Sequence, residues 1–252
     1  MSVLFGIHAV EEALKADPER IGRICIERSH KNPRLRDIID LGRQKHIPIS
    51  FEERSWLDRK AEGLRHQGVL CYVAEMATFE IRELLEQAKS PGLLVILDGI
   101  EDPHNLGAIL RSAEVAGADG VFLPQRHSAR LSAAVVKASA GAASHVKVTH
   151  TSNVARLIEL LKQREYWVAG LDAASNRPIW DADLTVPTAL ALGSEGSGLH
   201  RLVKEKCDFL VSLPVLGKVS SHNVSVAAGI ALYEVLRQRE LKGRALIKTA
   251  GR

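Results

Sequence analysis

Aromatic residues are scarce in this sequence, at 4% of the chain. Core volume therefore falls to Leu, Ile, Val and Ala, which are plentiful. Cysteine is scarcer still. Cys25, Cys71 and Cys207 stand apart and make no CxxC pair, which argues against a disulfide framework or a zinc site and fits a reducing, cytoplasmic setting. No apolar run approaches the length of about 18 residues that a membrane span requires. The first residues, Met1 to His8, lack the basic stretch and long apolar core of a signal peptide. Ten histidines include no HExxH and no close pair, so no metal centre is expected. A GxSxG elbow is also missing, which lowers a hydrolase reading.

The rest of the composition is that of an ordinary globular chain. Of 252 residues, 46% are apolar and 25% charged, enough to pack one large domain or two smaller ones. The net charge of +4 names no partner by itself, but its distribution is uneven. From Gly120 to Val154 there is no Asp or Glu, while Arg126, Arg130, Lys137 and Lys147 occur. A second basic cluster, Arg20, Arg23, Arg28, Lys31, Arg34 and Arg36, is opposed mainly by Glu27. Such clusters suit phosphates, and solvated helix faces account for them equally well.

Local patterns divide the chain. Ile7, Val10, Ala13 and Leu14 fall on one helical stripe. Residues 21–27 alternate as a strand, Pro33 opens a second helix, and residues 47–51 and 68–74 read as short strands. Between the last two, Leu64-Arg-His-Gln-Gly68 reads as a polar turn. Residues 1–76 thus form a small α/β domain, 77–92 a charged linker, 93–240 a second domain and 241–252 a loose basic tail. The second domain opens with Leu93-Leu-Val-Ile-Leu-Asp98, the continuous apolar run of a strand buried on both faces. Helix patterns at 105–116, 131–140, 153–164 and 199–206 then alternate with strand patterns at 120–123, 145–149, 166–171, 188–192 and 209–213. The alternation predicts a mostly parallel sheet with helices on both faces, an α/β fold.

In such sheets ligands bind beyond the carboxyl ends of the strands, and three polar loops stand there. Asp98 to Gly107 carries Asn105 into a helix, with Arg111 two turns further on. Side chains of a helix lean toward its N-terminus, so a long Arg can reach back toward Asn105, although a capping Asn and a surface Arg are the plainer reading. Gly193-Ser-Glu-Gly-Ser-Gly198 lacks the Gly-Lys-Ser/Thr ending of a P-loop. Its Glu195 repels phosphate and suits a ribose hydroxyl, an ammonium or a sulfonium, while a flexible turn is the simpler alternative. Leu213-Pro-Val-Leu-Gly217 leads through Ser220-Ser-His-Asn223 into a helix, with more polar side chains than a cap requires.

Together, Asn105-Leu-Gly107 with Arg111, Leu192-Gly-Ser-Glu-Gly-Ser-Gly-Leu199 and Leu213-Pro…Ser221-His-Asn-Val-Ser-Val-Ala227 resemble the SpoU (TrmH-like) branch of the SPOUT RNA methyltransferases. The likeness runs from Leu93 to about Arg239. It is strongest toward members that methylate the ribose of a guanosine in 23S ribosomal RNA; a transfer RNA enzyme of the same family and a non-catalytic ribosome-assembly factor are the alternatives. Phe5-Gly-Ile-His-Ala-Val10 and His66-Gln-Gly68 are similar to the ribosomal-protein-L30e-like domain of that family. The resemblance implies a C-terminal trefoil knot, a homodimer, and ribosomal RNA or a pre-50S particle as substrate. S-adenosyl-L-methionine is the implied cofactor, held around Leu171, Leu192, Gly193, Gly196, Leu213 and His222, with Asn105, Arg111, Glu195, Ser221 and Asn223 at the reaction centre. One departure is His222, where the family usually has Leu.

Overall fold

The computed structural model describes residues 2–63, 65–74, 79–219 and 221–250. It has two compact units, Met1–Met76 with Leu131–Gly141, and Ala77–Arg130 with Ala142–Arg252.

The first unit contains β1 (Ser2–Phe5), α1 (Ile7–Ala16), β2 (Ile21–Glu27), α2 (Pro33–Gln44), β3 (Ile49–Glu52), α3 (Arg54–Ala61) and β4 (Val69–Val73). Its sheet has the order β1-β4-β2-β3, with β4 antiparallel to both neighbours and β3 parallel to β2. The stripe Ile7, Val10, Ala13 and Leu14 of α1 is buried against Ile24 and Ile26 of β2 and Leu35 and Ile38 of α2. Asn32 caps α2 by accepting from the Arg34 N–H, and Pro33 occupies the first turn, where its missing N–H costs nothing. The polar loop before β4 has a structural job. His66 Nδ1 accepts from the Gly68 N–H at 3.1 Å, which puts the ring proton on Nε2, and that atom donates to Asp58 at 2.8 Å. Gln67 Oε1 accepts from Ile7 N and so satisfies a free donor at the start of α1. Leu64, at the head of this loop, lies outside the described residues.

The second unit begins with α4 (Ile81–Glu86), then β5 (Leu93–Asp98), α5 (Pro103–Val115) and β6 (Gly120–Pro124). After β6 the chain supplies α6 (Ala133–Ala138), which packs on α1 as part of the first unit. There Lys137 pairs with Glu12. The second unit resumes with β7 (Val148–Thr151), α7 (Val154–Gln163), β8 (Trp167–Leu171), β9 (Thr188–Gly193), α8 (Arg201–Lys206), β10 (Phe209–Val211) and α9 (Val224–Ala250). All six strands are parallel, in the order β10-β8-β9-β5-β6-β7. The α/β fold with a mostly parallel sheet is as the sequence predicts. β5 and β9 are buried along their whole length, and burying each Leu, Ile or Val stabilises the fold by about 1.5–3 kcal/mol. One face of the sheet receives Leu157, Ile158 and Leu161 of α7 and Val203 of α8. Along the other run α5 and α9, packed on each other.

Several expectations need correction. The segment read as a linker over 77–92 is, from residue 79 on, part of the second unit: Phe79, Ile81, Leu84 and Leu85 join its core, and Phe79 N donates to Val148 O. A side chain at Gly120 would collide with Leu84, so the helix and strand β6 are matched. The segment 131–141, read as belonging to the second domain, lies in the first unit because α6 buries its apolar side on α1. Residues 241–250 continue α9 rather than form a loose tail. β7 starts at Val148, three residues later than read, because Ala142–Ser144 form a short 3₁₀ turn.

Candidate active site

The site is built on the carboxyl ends of β5, β8, β9 and β10. In the strand order β9 lies between β8 and β5, and its register sets Gly193 beside Asp98. Of the three polar loops read from the sequence, those after β5 and β9 leave neighbouring strands, and the one after β10 leaves the strand on the far side of β8.

A cavity of about 480 Å³ opens there, lined by Leu171, Asp172, Leu192, Gly193, Glu195, Gly196, Lys204, Leu213, Val215, Ser221, His222, Asn223, Val224 and Ala227 among others. Its volume falls in the range of small-molecule sites. The loop after β9 forms the floor. Ser194 and Gly198 exchange two backbone hydrogen bonds of 3.1 and 2.9 Å, and Gly196 and Gly198 sit at left-handed φ of 87° and 65°, where glycine is the residue without penalty. At Gly193 a Cβ would lie 2.0 Å from Leu199 N, so the loop closes only over a glycine.

Asn223 is the centre of the polar cluster. Its Oδ1 accepts from Ser225 N at 2.9 Å, Ser225 Oγ at 2.6 Å and Val226 N at 3.4 Å, which caps α9. That fixes the amide orientation and turns Nδ2 toward the site. Its two protons go to Asn105 Oδ1 at 3.0 Å and to Glu195 Oε1. Asn105 is 9% exposed and is placed by Asp102, which caps α5 through the N–H groups of His104 and Asn105. One side chain thus joins three loops that are 118 and 28 residues apart in sequence.

Two family models match this chain, one described as the SpoU rRNA methylase family over residues 92–233 and one as RNA 2′-O ribose methyltransferase substrate binding over residues 3–79. The chain belongs to the SpoU rRNA methylase family. Among its relatives is a 23S rRNA (guanosine-2′-O-)-methyltransferase RlmB of Pseudomonas putida, 41% identical over 95% of this chain and 97% of that one. Its namesake in Shewanella oneidensis is 43% identical over 94% and 97%. The SpoU methyltransferase AviRb from Streptomyces viridochromogenes, crystallised in complex with AdoMet, shares the fold at a TM-score of 0.64 and 24% identity, over 94% of this chain and 90% of that one.

In this SpoU methylase, Leu171, Leu192, Gly193, Gly196, Leu213, Ser221 and His222 all line the cavity with Glu195 and Asn223, and Asn105 reaches it through Asn223. Arg111 does not join them. It is exposed on α5 and, among the described residues, has no ion-pair or hydrogen-bond partner. Ser220 lies outside the described residues. The sequence reading missed Asp172 and Lys204, which pair at 2.8 Å in the cavity wall. The Lys204 ammonium, helped by the Ala174 N–H, holds the Asp172 carboxyl below its usual range against the opposing effect of burial. Asp172 immediately follows β8, and a polar residue just past a strand end was the available signal. The thiols of Cys71 and Cys207 are pushed up to about 12 by burial, which leaves them unreactive as nucleophiles or ligands. Among the described residues no group of three or more His, Cys, Asp or Glu gathers as a metal site, and no helix is long and apolar enough to cross a membrane.

Proposed function

We propose that this chain methylates the ribose 2′-hydroxyl of a guanosine in 23S ribosomal RNA, with S-adenosyl-L-methionine as donor. The observation that carries the reading is the Asn105–Asn223–Glu195 cluster at the mouth of the cavity, in a chain similar over nearly its whole length to enzymes with that activity. The residues present fit the cofactor. Leu171, Leu192, Leu213, Val215 and Ala227 give apolar walls for a purine, and Glu195 with Asp172 gives carboxylates suited to ribose hydroxyls and a sulfonium. Lys204, the one basic side chain besides His222 in that wall among the described residues, is neutralised by Asp172.

The bound cofactor supplies a methyl group on positively charged sulfur, open to in-line attack. The protein's task is to aim a weak nucleophile and accommodate its lost proton. Asn105 and Ser221 hold the ribose hydroxyl, and Asn223 and Glu195 hold Asn105 in place. Alignment of this kind supplies roughly 7–11 kcal/mol. Arg111 is a poor literal base, since a guanidinium stays charged in proteins. Its role is to stabilise the developing alkoxide or to hold a neighbouring phosphate. The exposed apolar side chains of α9, Val226, Ile230 and Tyr233, support a homodimer, and Arg111, on the helix packed against α9, meets the reaction centre in that dimer. A trefoil knot in the second unit, an L30e-like first unit that grips ribosomal RNA or a pre-50S particle, and a cytoplasmic location complete the reading.

Tritium transfer from labelled S-adenosylmethionine to 23S ribosomal RNA tests it, and wild-type protein that binds the RNA without incorporation would sink it in favour of an assembly factor. Arg111→Ala is expected to abolish transfer while calorimetric S-adenosylhomocysteine binding stays within twofold. Normal turnover in that variant would remove Arg111 from the reaction.

A further inference from the structure

Beside the cavity, the carboxyl ends of β5, β6 and β7 enclose a second, polar cleft of about 380 Å³, lined by Asp98, Gly99, Gln125, Arg126, His127 and His200 among others. A neighbouring cleft shares Gly99, His127 and His200 and extends to Asn105 and Glu195. The two are therefore continuous with the reaction centre, on the side away from the cofactor walls.

The cleft sets one buried carboxylate, Asp98, against Arg126, and the neighbouring cleft adds Glu101, Asp102 and Glu195. Asp98 is 4% exposed, and both its oxygens are occupied by His200, one by the backbone N–H at 2.8 Å and one by Nδ1 at 2.9 Å. Glu101 faces His127 at 3.6 Å. Arg126, among the described residues, has no acidic partner. It belongs to the acid-free run Gly120–Val154, which the functional reading above left unexplained. The loop that carries Arg126 and His127 is braced: Gln125 N donates to Thr151 O at 2.9 Å, Ser128 Oγ to Pro124 O at 2.5 Å, and Ala129 N to Ile100 O at 2.7 Å. A guanidinium with no direct ion pair among the described residues, carried on a fixed loop beside two imidazoles and next to a ribose site, is free to meet a phosphodiester.

We propose that this cleft seats the RNA phosphodiester adjacent to the target ribose, with Arg126 as its charge partner and His127 and His200 at its flanks. The assignment rests on the methyltransferase reading for the position of the ribose. Asp98 is the positioning residue that fixes the His200 ring.

The test is binding of a 23S ribosomal RNA transcript by the full chain over a salt series. Arg126→Gln with His127→Gln is expected to weaken binding about tenfold near physiological salt and to reduce the slope of log affinity against log salt by about 1. S-adenosylhomocysteine affinity stays at the wild-type value. Arg126→Lys keeps the wild-type slope. Wild-type affinity and slope in the double variant would overturn the proposal, as would a Lys variant as impaired as the Gln one. Both outcomes are read from binding alone, so they are separate from a failure of methyl incorporation in the wild type, which would remove the enzymatic reading instead.

Discussion

The loop after β9 is closed on itself by the paired bonds of Ser194 and Gly198. The loop after β10 makes no hydrogen bond from residues 214–219 among those described, and it exposes Leu216 fully and Val219 by 72%. Both border the same cavity. The first wall is dictated by local sequence, since three glycines and one strand end leave a single way to fold back. The second has no such internal support among the described residues. A pocket made of one fixed and one yielding wall is pre-organised for recognition on one side and adaptable on the other.

Substitutions can break this contrast. The largest effect is expected at Gly193→Ala, where the new methyl meets backbone atoms of Gly198 and Leu199. The variant should lose about 3 kcal/mol of stability in denaturant unfolding and most of its S-adenosylhomocysteine affinity. Asn223 comes next and separates two jobs. Asn223→Ala should lower stability by about 1 kcal/mol through the lost cap and remove methyl transfer. Asn223→Asp keeps the cap but faces Glu195 with a second carboxylate, so unfolding should be near normal while transfer is lost. A smaller, pH-dependent effect belongs to Asp172. Its folded carboxyl titrates below the ordinary value, so its contribution is present above about pH 4 and disappears as pH falls through the lowered folded value. Melting curves of wild type and Asp172→Asn should therefore differ at neutral pH and converge in acid. Leu216→Ser should change stability by less than about 0.5 kcal/mol. A large loss there would show that the second wall is as fixed as the first.

The sheet was readable because its central strands are fully buried. Leu93–Asp98 and Thr188–Gly193 carry unbroken apolar runs, and the polar residues that end them mark the site. Two short elements were not readable. α3 buries only Leu57 and Ala61 amid charged residues, too faint a stripe to count as a helix, and β1 has four residues at the chain's start. Nothing local in residues 131–141 signals that they pack with a unit whose other residues end at 76. Within the site, the motifs identified Asn105, Glu195 and Asn223, but not that Asn223 binds the other two; that depends on distances across 118 and 28 residues. The Asp172–Lys204 pair was invisible for the same reason. Arg111 is the converse case: helical lean suggests a reach toward Asn105, and within one chain the side chain lies exposed on α5 with no hydrogen bond to it among the described residues.

Asn223 uses one side of its amide for the first turn of α9 and the other for Asn105 and Glu195. Opening that turn therefore releases Asn105 and Glu195, and anything that tightens the cluster holds the turn closed. The backbone amides of Ser225 and Val226 become built-in reporters: their hydrogen–deuterium exchange should slow when the cavity is filled, with no label added to the ligand.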